Sequence, residues 1–354
     1  MPPSDSEKTE KTEKNDTVQN AVNDLSLETE GAKMLHVVRL LNIIQPTQVK
    51  LEPSPGSLEG APVYHSFANG GYADIFKATM FCDDGSSKMV AVKVFRGAHI
   101  ATNTVEEKER YKNRLRREYE VWGRAEHRNI LRLEGLLVSE MLPSPGLVSE
   151  YKEYGDLLKF MQLKLTFDRL AMGRDIACGL QYLHAQHVVH GDLTPLNVLV
   201  DSDGETGTYF PLITDFGKSR VHEMSGYTTN MNTTPMAARP PELLAHADPE
   251  PATNKNALSF GSDVYSLSLL LLQLLTDKVP YKQEGKSLFV LISMITDEKD
   301  PLRPTPQKYP LLNGSHDFCW PIMQACWKHD PKGRITSREA YERLREGSPS
   351  PALN

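Results

Sequence analysis

Three side chains stand at spacings that could serve phosphate and metal chemistry: Asp192, Asn197 and Asp215. The first two belong to His190-Gly191-Asp192-Leu193-Thr194-Pro195-Leu196-Asn197, which runs into the apolar Val198-Leu199-Val200. The third opens Asp215-Phe216-Gly217, directly after Leu212-Ile213-Thr214. Each therefore sits at the end of a β-like run. Asp192 and Asn197 are five apart, enough for one loop to point both into a cleft. Carboxylate and amide oxygens are the ligands Mg²⁺ prefers. Moving a phosphoryl group needs positioning and charge neutralisation more than covalent chemistry. Such a site must hold a triphosphate, hold the metal and orient a hydroxyl, and these two segments carry groups suited to it.

The elements that must position them follow from periodicity. Residues 63–81 alternate around Gly70-Gly71, and the turn Asp83-Asp84-Gly85 leads into the β-branched run at 89–95. Residues 104–122 are dense in Glu, Lys and Arg and predict a helix, with Thr104 and Glu107 as a capping box. Arg114, Arg116 and Arg117 fall on its expected solvated face, and Trp122 on its packed one. Two more strands are predicted within 130–139 and 146–151. Beyond Asp156 the pattern turns helical, with Leu170, Ile176, Leu180 and Leu183 forming one stripe. The run at 264–275, bounded by Asp263 and Asp277, is apolar all round. It falls short of the roughly 18 residues needed to span a bilayer and predicts a buried helix. Strands followed by helices make an α+β chain: a small β-rich lobe over 62–149, a join at 150–155 and a larger helical lobe over 156–347.

Composition narrows the class. The 354 residues are 39% hydrophobic and 24% charged, with a net charge of −6. That is ordinary for a soluble domain and argues against a general nucleic-acid binder. Cys82, Cys178, Cys319 and Cys326 form no CxxC pair, which suits a reducing compartment and gives no metal site. Cys319 and Cys326, seven apart, are expected as two packed thiols on one helix face. Residues 1–32, with their EKTEKTEK repeat, predict a disordered charged tail, and 348–354 a short C-terminal one. Residues 33–61 form an extension that could meet signalling partners. Within it, Leu35, Val38, Leu41 and Ile44 predict a short helix ended by Pro46. The N-terminus has no apolar stretch and is no secretory signal. The expected setting is cytoplasmic or nuclear, without membrane insertion.

H-x-D-x-x-x-x-N with D-F-G about twenty residues on resembles the paired catalytic motifs of the eukaryotic protein kinases. Either motif alone is a common accident; Lys93 alone is a strand-edge lysine, and Glu118 alone one charge among many. Their joint order is what signals. Val90-Ala91-Val92-Lys93 is similar to the strand bearing the phosphate-binding Lys, and Glu118, nine before His127, to its helix partner. Arg239-Pro240-Pro241-Glu242, Asp263-Val264-Tyr265-Ser266 and Cys326-Trp327 through Arg334 resemble later landmarks of the family. The resemblance covers about 62–347 and leans towards the tyrosine-kinase-like and fungal groups. It implies the bilobal protein-kinase fold, ATP and Mg²⁺, and a protein substrate, with Ser/Thr favoured over Tyr. By the same resemblance Lys93 binds the α- and β-phosphates and pairs with Glu118. Asp215 and Asn197 hold metal, and Asp192 takes or orients the acceptor proton. Glu150 and Lys152 offer backbone groups to adenine, Ser149 backs its pocket, and Ile75, Ala91 and Leu199 sandwich the ring. The glycine-rich loop is Phe67-Ala68-Asn69-Gly70-Gly71-Tyr72, and Glu242 with Arg334 forms a buried structural ion pair.

The sequence departs from that pattern in several places. Ala68 and Ala73 replace two loop glycines, and Gly191 replaces the Arg before the catalytic Asp. Thr194 replaces the Lys that helps hold the γ-phosphate in Ser/Thr kinases. The segment before Glu242 lacks the usual aromatic, although Pro235 lies seven before it, as in tyrosine kinases. Ser225, Tyr227, Thr228, Thr229, Thr233 and Thr234 offer hydroxyls for phosphorylation. Three readings compete: an active Mg-ATP protein kinase, a nucleotide-binding pseudokinase scaffold, and a small-molecule phosphotransferase. The intact DFG and the late Cys-Trp segment weigh against the last.

Overall fold

A computed structural model describes residues 43–52, 68–69, 73–96, 104–139, 142, 145–221, 239–244, 258–281, 288–297, 301, 303–305, 307, 309, 312 and 314–347. The expected tails at 1–32 and 348–354 lie outside these residues. So do Phe67, Gly70, Gly71 and Tyr72, Pro235, and the hydroxyl residues Ser225, Tyr227, Thr228, Thr229, Thr233 and Thr234. The chain divides into two compact units, one of residues up to Arg124 plus Arg132–Tyr151, the other of Ala125–Leu131 plus everything from Lys152. Among the described residues no helix is long and apolar enough to cross a membrane.

In the first unit, strict alternation in β-branched strands builds a sheet. Strands β1 (Ile43–Ile44), β2 (Val49–Leu51), β3 (Ala68–Asn69), β4 (Ala73–Phe81) and β5 (Ser87–Phe95) are followed by helix α1 (Val105–Trp122). Strands β6 (Leu133–Leu137) and β7 (Gly146–Glu150) complete it. The order is β1-β6-β7-β5-β4-β2, with β3 also on β4 and β1 parallel to β6. Val90, Val92 and Val94 point to one face and pack with Leu51, Ala78, Leu137 and Val148. Period two then sends Ala91 and Lys93 to the other face. The β4–β5 turn forms at Asp83-Asp84-Gly85: Gly85 takes φ +81°, and Asp84 accepts from the Ser86 amide at 2.9 Å.

Two expectations change here. Where the end of the expected helix is described, Ile43–Ile44 is a strand instead, because Leu136 and Leu137 offer it a sheet edge. The sheet thus recruits β1 and β2 from before residue 62. The other concerns α1: Arg114 and Arg117 are not on a solvated face. Arg114 Nε and Arg117 Nη1 are buried, and the Arg114 guanidinium stacks 5.0 Å over the Phe95 ring. Arg116 stays on the surface side and pairs with Glu120 at 2.8 Å. The side chain of Glu107, needed for the expected capping box, lies outside the described residues.

The second unit is helical around a short hairpin. Its helices are α2 (Leu157–Gln162), α3 (Arg169–Ala185), α4 (Pro241–Leu244), α5 (Phe260–Thr276), α6 (Leu288–Thr296), α7 (Cys319–Cys326) and α8 (Ser337–Glu346). Strands β9 (Val198–Ser202) and β10 (Tyr209–Ile213) form the hairpin, and β8 (Val188–Val189) pairs with β11 (Arg220–Val221). Asp156 and Asp168 cap α2 and α3 by accepting from Lys159 N and Ala171 N, each at 2.9 Å. Helix α5 is buried on every side, and each fully buried leucine in it contributes roughly 1.5–3 kcal/mol. Gly173 lets α3 approach it: a Cβ there would meet Leu271 Cδ2 at 2.5 Å. Cys319 and Cys326 are buried free thiols of α7, as expected.

Candidate functional site

In the first unit the register does the positioning. Lys93 pairs with Ile75 on β4 and Leu147 on β7, while Ala91 pairs with Lys77 and Ser149. Directly opposed residues share a face. Ile75, Ala91, Lys93 and Ser149 therefore line one face, opposite the valine core. The Lys93 Nζ lies 2.6 Å from Glu118 Oε1, with the Glu118 side chain fully buried and that of Lys93 15% exposed. Burying a carboxylate is costly unless a cation meets it. Glu150 ends β7, exposed and paired with Val90. Ala68 and Asn69 pair with Ile75 and Asp74, which places the described part of the glycine-rich loop at the Lys93 end of the sheet.

In the second unit one carboxylate organises the catalytic-type loop. Asp263, in the first turn of α5 and 1% exposed, accepts from His190 N at 2.7 Å and Gly191 N at 2.8 Å. It also lies 3.0 Å from His184 Nε2. The His190 ring continues the chain of bonds. Its Nδ1 accepts from Asp192 N at 3.2 Å, so its Nε2 carries the proton and donates to the Thr214 carbonyl at 3.0 Å. One ring thus ties the loop to the segment that ends in Asp215.

Asp192 itself is held from two sides. Asn197 Nδ2 donates to its carbonyl at 2.8 Å and to its Oδ2 at 3.1 Å. Lys218 Nζ meets the same Oδ2 at 2.8 Å, both side chains being about nine-tenths buried. Buried Arg239 also lies in the field of Asp192: burial lowers its pKa and the Asp192 charge opposes that shift. Asp215 takes a left-handed conformation, φ +64°, and its carboxylate accepts from Gly217 N at 3.3 Å. Phe216 is buried below, its ring 5.6 Å from that of His190.

With Nδ2 turned to Asp192, Asn197 could offer Oδ1 to a cation, and Asp215 a carboxylate oxygen. Among the described residues no group of three or more His, Cys, Asp or Glu could hold a metal unaided. Oxygen donors of this kind suit a hard cation that completes its shell with water and phosphate oxygens. Leu199 sits mid-β9, half-buried, and forms an isolated bridge to Asp156. The Lys152 side chain is occupied with Asp201 at 2.6 Å. The Arg334 guanidinium, fully buried, clasps Glu242 with two bonds of 2.7 and 2.8 Å and stacks on Tyr265.

Sequence reasoning missed Lys218 and the anchoring role of Asp263. Lys218 had one signal, a cation directly after DFG; Asp263 had another, an acid opening an otherwise apolar helix.

The profile of the protein tyrosine and serine/threonine kinase family matches residues 63–344. Among curated proteins, serine/threonine-protein kinase STY46 of Arabidopsis thaliana is 26% identical over 80% of this chain and 43% of its own length. Serine/threonine-protein kinase PkaA of Streptomyces coelicolor is 31% identical over 66% of this chain and 39% of its own. Tyrosine-protein kinase Shark of Drosophila melanogaster is 28% identical over 67% of this chain and 23% of its own. The chain thus spans less than half the length of these relatives.

Proposed function

Because the chain belongs to the protein tyrosine and serine/threonine kinase family, we propose that it transfers the γ-phosphoryl group of Mg-ATP to a Ser or Thr hydroxyl of a protein substrate. The observation that carries this is the closed Lys93–Glu118 pair, 2.6 Å long with Glu118 fully buried. In protein kinases this pair must be in place for the lysine to meet the phosphates. Ile75, Ala91, Ser149, Glu150, Lys152 and Leu199 are assigned to adenine. Asn197 and Asp215 would hold Mg²⁺, which would neutralise charge on the phosphates. Asp192 accepts the hydroxyl proton as the acceptor oxygen attacks phosphorus and the bond to ADP breaks.

The test is phosphate transfer from radiolabelled Mg-ATP to the chain itself and to generic protein substrates, with phosphosites mapped, beside Lys93→Met and Asp192→Asn. Transfer to Ser/Thr that both variants abolish is expected. Labelling no greater than that of Asp192→Asn would end the reading. One observation favours a scaffold instead: Thr194, buried and uncharged, stands where a phosphate-holding Lys is usual. A scaffold would show nucleotide stabilisation without turnover, about 2.7 kcal/mol at a ligand concentration 100 times its Kd.

A further inference from the structure

The loop 190–197 contains Asp192 but no Lys or Arg. Its hydrogen-bonded charge partner comes from elsewhere in the chain, at Lys218, directly after Asp215-Phe216-Gly217, with buried Arg239 also in its field. Several contacts fix Lys218 against the loop. Residues Phe216–Lys218 form a 3₁₀ turn closed by Ser219 N to the Phe216 carbonyl at 3.0 Å. Ser219 Oγ donates to the His190 carbonyl at 2.9 Å, and β11 then pairs with β8. The backbone on either side of Lys218 is thus tied to the loop that bears Asp192.

Gly191 completes the arrangement. It takes φ +79°, and a Cβ there would stand 3.0 Å from the Lys218 carbonyl oxygen. A side chain at 191 would crowd the path by which residue 218 approaches. Gly191 and Thr194 thus put no cation on the loop, and Lys218 brings one to Asp192 from the neighbouring segment.

We infer that Lys218 is the positioning cation of the phosphotransfer site, holding the Asp192 carboxylate in line and supplying the positive charge that Thr194 does not. Lys218 and Asn197 both donate to Asp192 Oδ2, which fixes the orientation of the carboxylate. When the acceptor O–H proton passes to Asp192, its oxygen bonds to phosphorus and ADP leaves with the electron pair of the broken P–O bond. The Lys218 charge, no longer balanced by Asp192, then faces the transferred phosphoryl group. Preorganised charges of this kind act without reorganisation at the moment of reaction.

This assignment rests on the phosphotransfer reading above. Its test is steady-state kinetics of Lys218→Met, Lys218→Arg and Lys218→Met/Thr194→Lys. Lys218→Met should lose about 100-fold in kcat, the scale for one preorganised donor, with KM for ATP changed less than threefold. Lys218→Arg should keep at least a tenth of the activity, and the Thr194→Lys double variant should recover at least tenfold. A kcat within threefold of the parent, a rise in kcat, equal losses in kcat and ATP affinity, or no recovery would each overturn it. A second measurement is binding of Mg-ADP with and without aluminium fluoride, a transition-state mimic, followed by thermal shift. The parent should gain affinity with fluoride, and Lys218→Met should lose that gain while still binding Mg-ADP. If the parent shows no turnover, the phosphotransfer reading fails and this arm alone decides: a gain lost in Lys218→Met supports the assignment, and an absent or unchanged gain overturns it.

Discussion

Replacing Asp263 by Asn keeps the volume of the side chain and removes its charge. The carboxylate accepts three hydrogen bonds, from His190 N, Gly191 N and His184 Nε2, at 2.7, 2.8 and 3.0 Å. An amide offers one oxygen. Turned to keep His190 and His184, it points its NH₂ at the Gly191 amide. One bond to a charged acceptor is lost, about 1.5–3 kcal/mol, and the other two become neutral bonds roughly half as strong. The expected loss is about 3–6 kcal/mol, a large part of the 5–15 kcal/mol typical of a folded domain. At roughly 2 °C per kcal/mol for a chain of this size, the melting midpoint should fall by about 6–12 °C. The same bonds fix the backbone just before Asp192, so kcat should fall about 100-fold, the scale of a 1 Å misplacement. Scanning calorimetry and the phosphotransfer assay read the two effects. A midpoint within 1 °C of the parent together with kcat within threefold would refute the role given to Asp263.

Two further expectations follow from backbone and burial. Gly191→Ala should cost about 1–2 kcal/mol for its left-handed backbone plus the contact with the Lys218 carbonyl. Gly207→Ala, at φ +68° with nothing within 4 Å, should cost the backbone part alone; equal losses in urea unfolding would show that the approach at Gly191 is not tight. Burial pushes the Cys319 and Cys326 thiols up from 9.0 to about 12. A folded pKa above the unfolded one means a contribution that is whole below pH 9 and lost as pH rises towards 12. The urea midpoint should therefore drop between pH 8 and pH 10.5. Ellman's reagent at pH 8 should label half-buried Cys82 and Cys178 in the native chain, and Cys319 and Cys326 only after denaturation. Labelling of all four at one rate would contradict the burial.

Local pattern already decides a good deal of this protein. In the run at 89–95 any strand must separate the valines from Ala91 and Lys93, because successive side chains alternate faces. Residues 264–275 offer no polar face, so a helix there has to be buried. The spacings within HGDLTPLN and DFG place Asn197 and Asp215 beside strand ends without reference to the rest of the chain, whereas Asp192, expected at one too, lies in the loop between β8 and β9. Short apolar segments carry less: Ile43-Ile44 suits a helix turn or a strand, and the open edge at Leu136-Leu137 decided for the strand. What no local pattern could supply is partnership. Lys218 meets Asp192 across 26 residues, Asp263 meets His190 across 73, and Arg334 meets Glu242 across 92. A charged residue's own neighbours set its conformation, but which opposite charge it meets depends on where the chain returns. So the sequence alone determined which groups could do the chemistry. The tertiary structure decided which of them are held, by burying Asp263 beneath the loop and bringing Lys218 to Asp192.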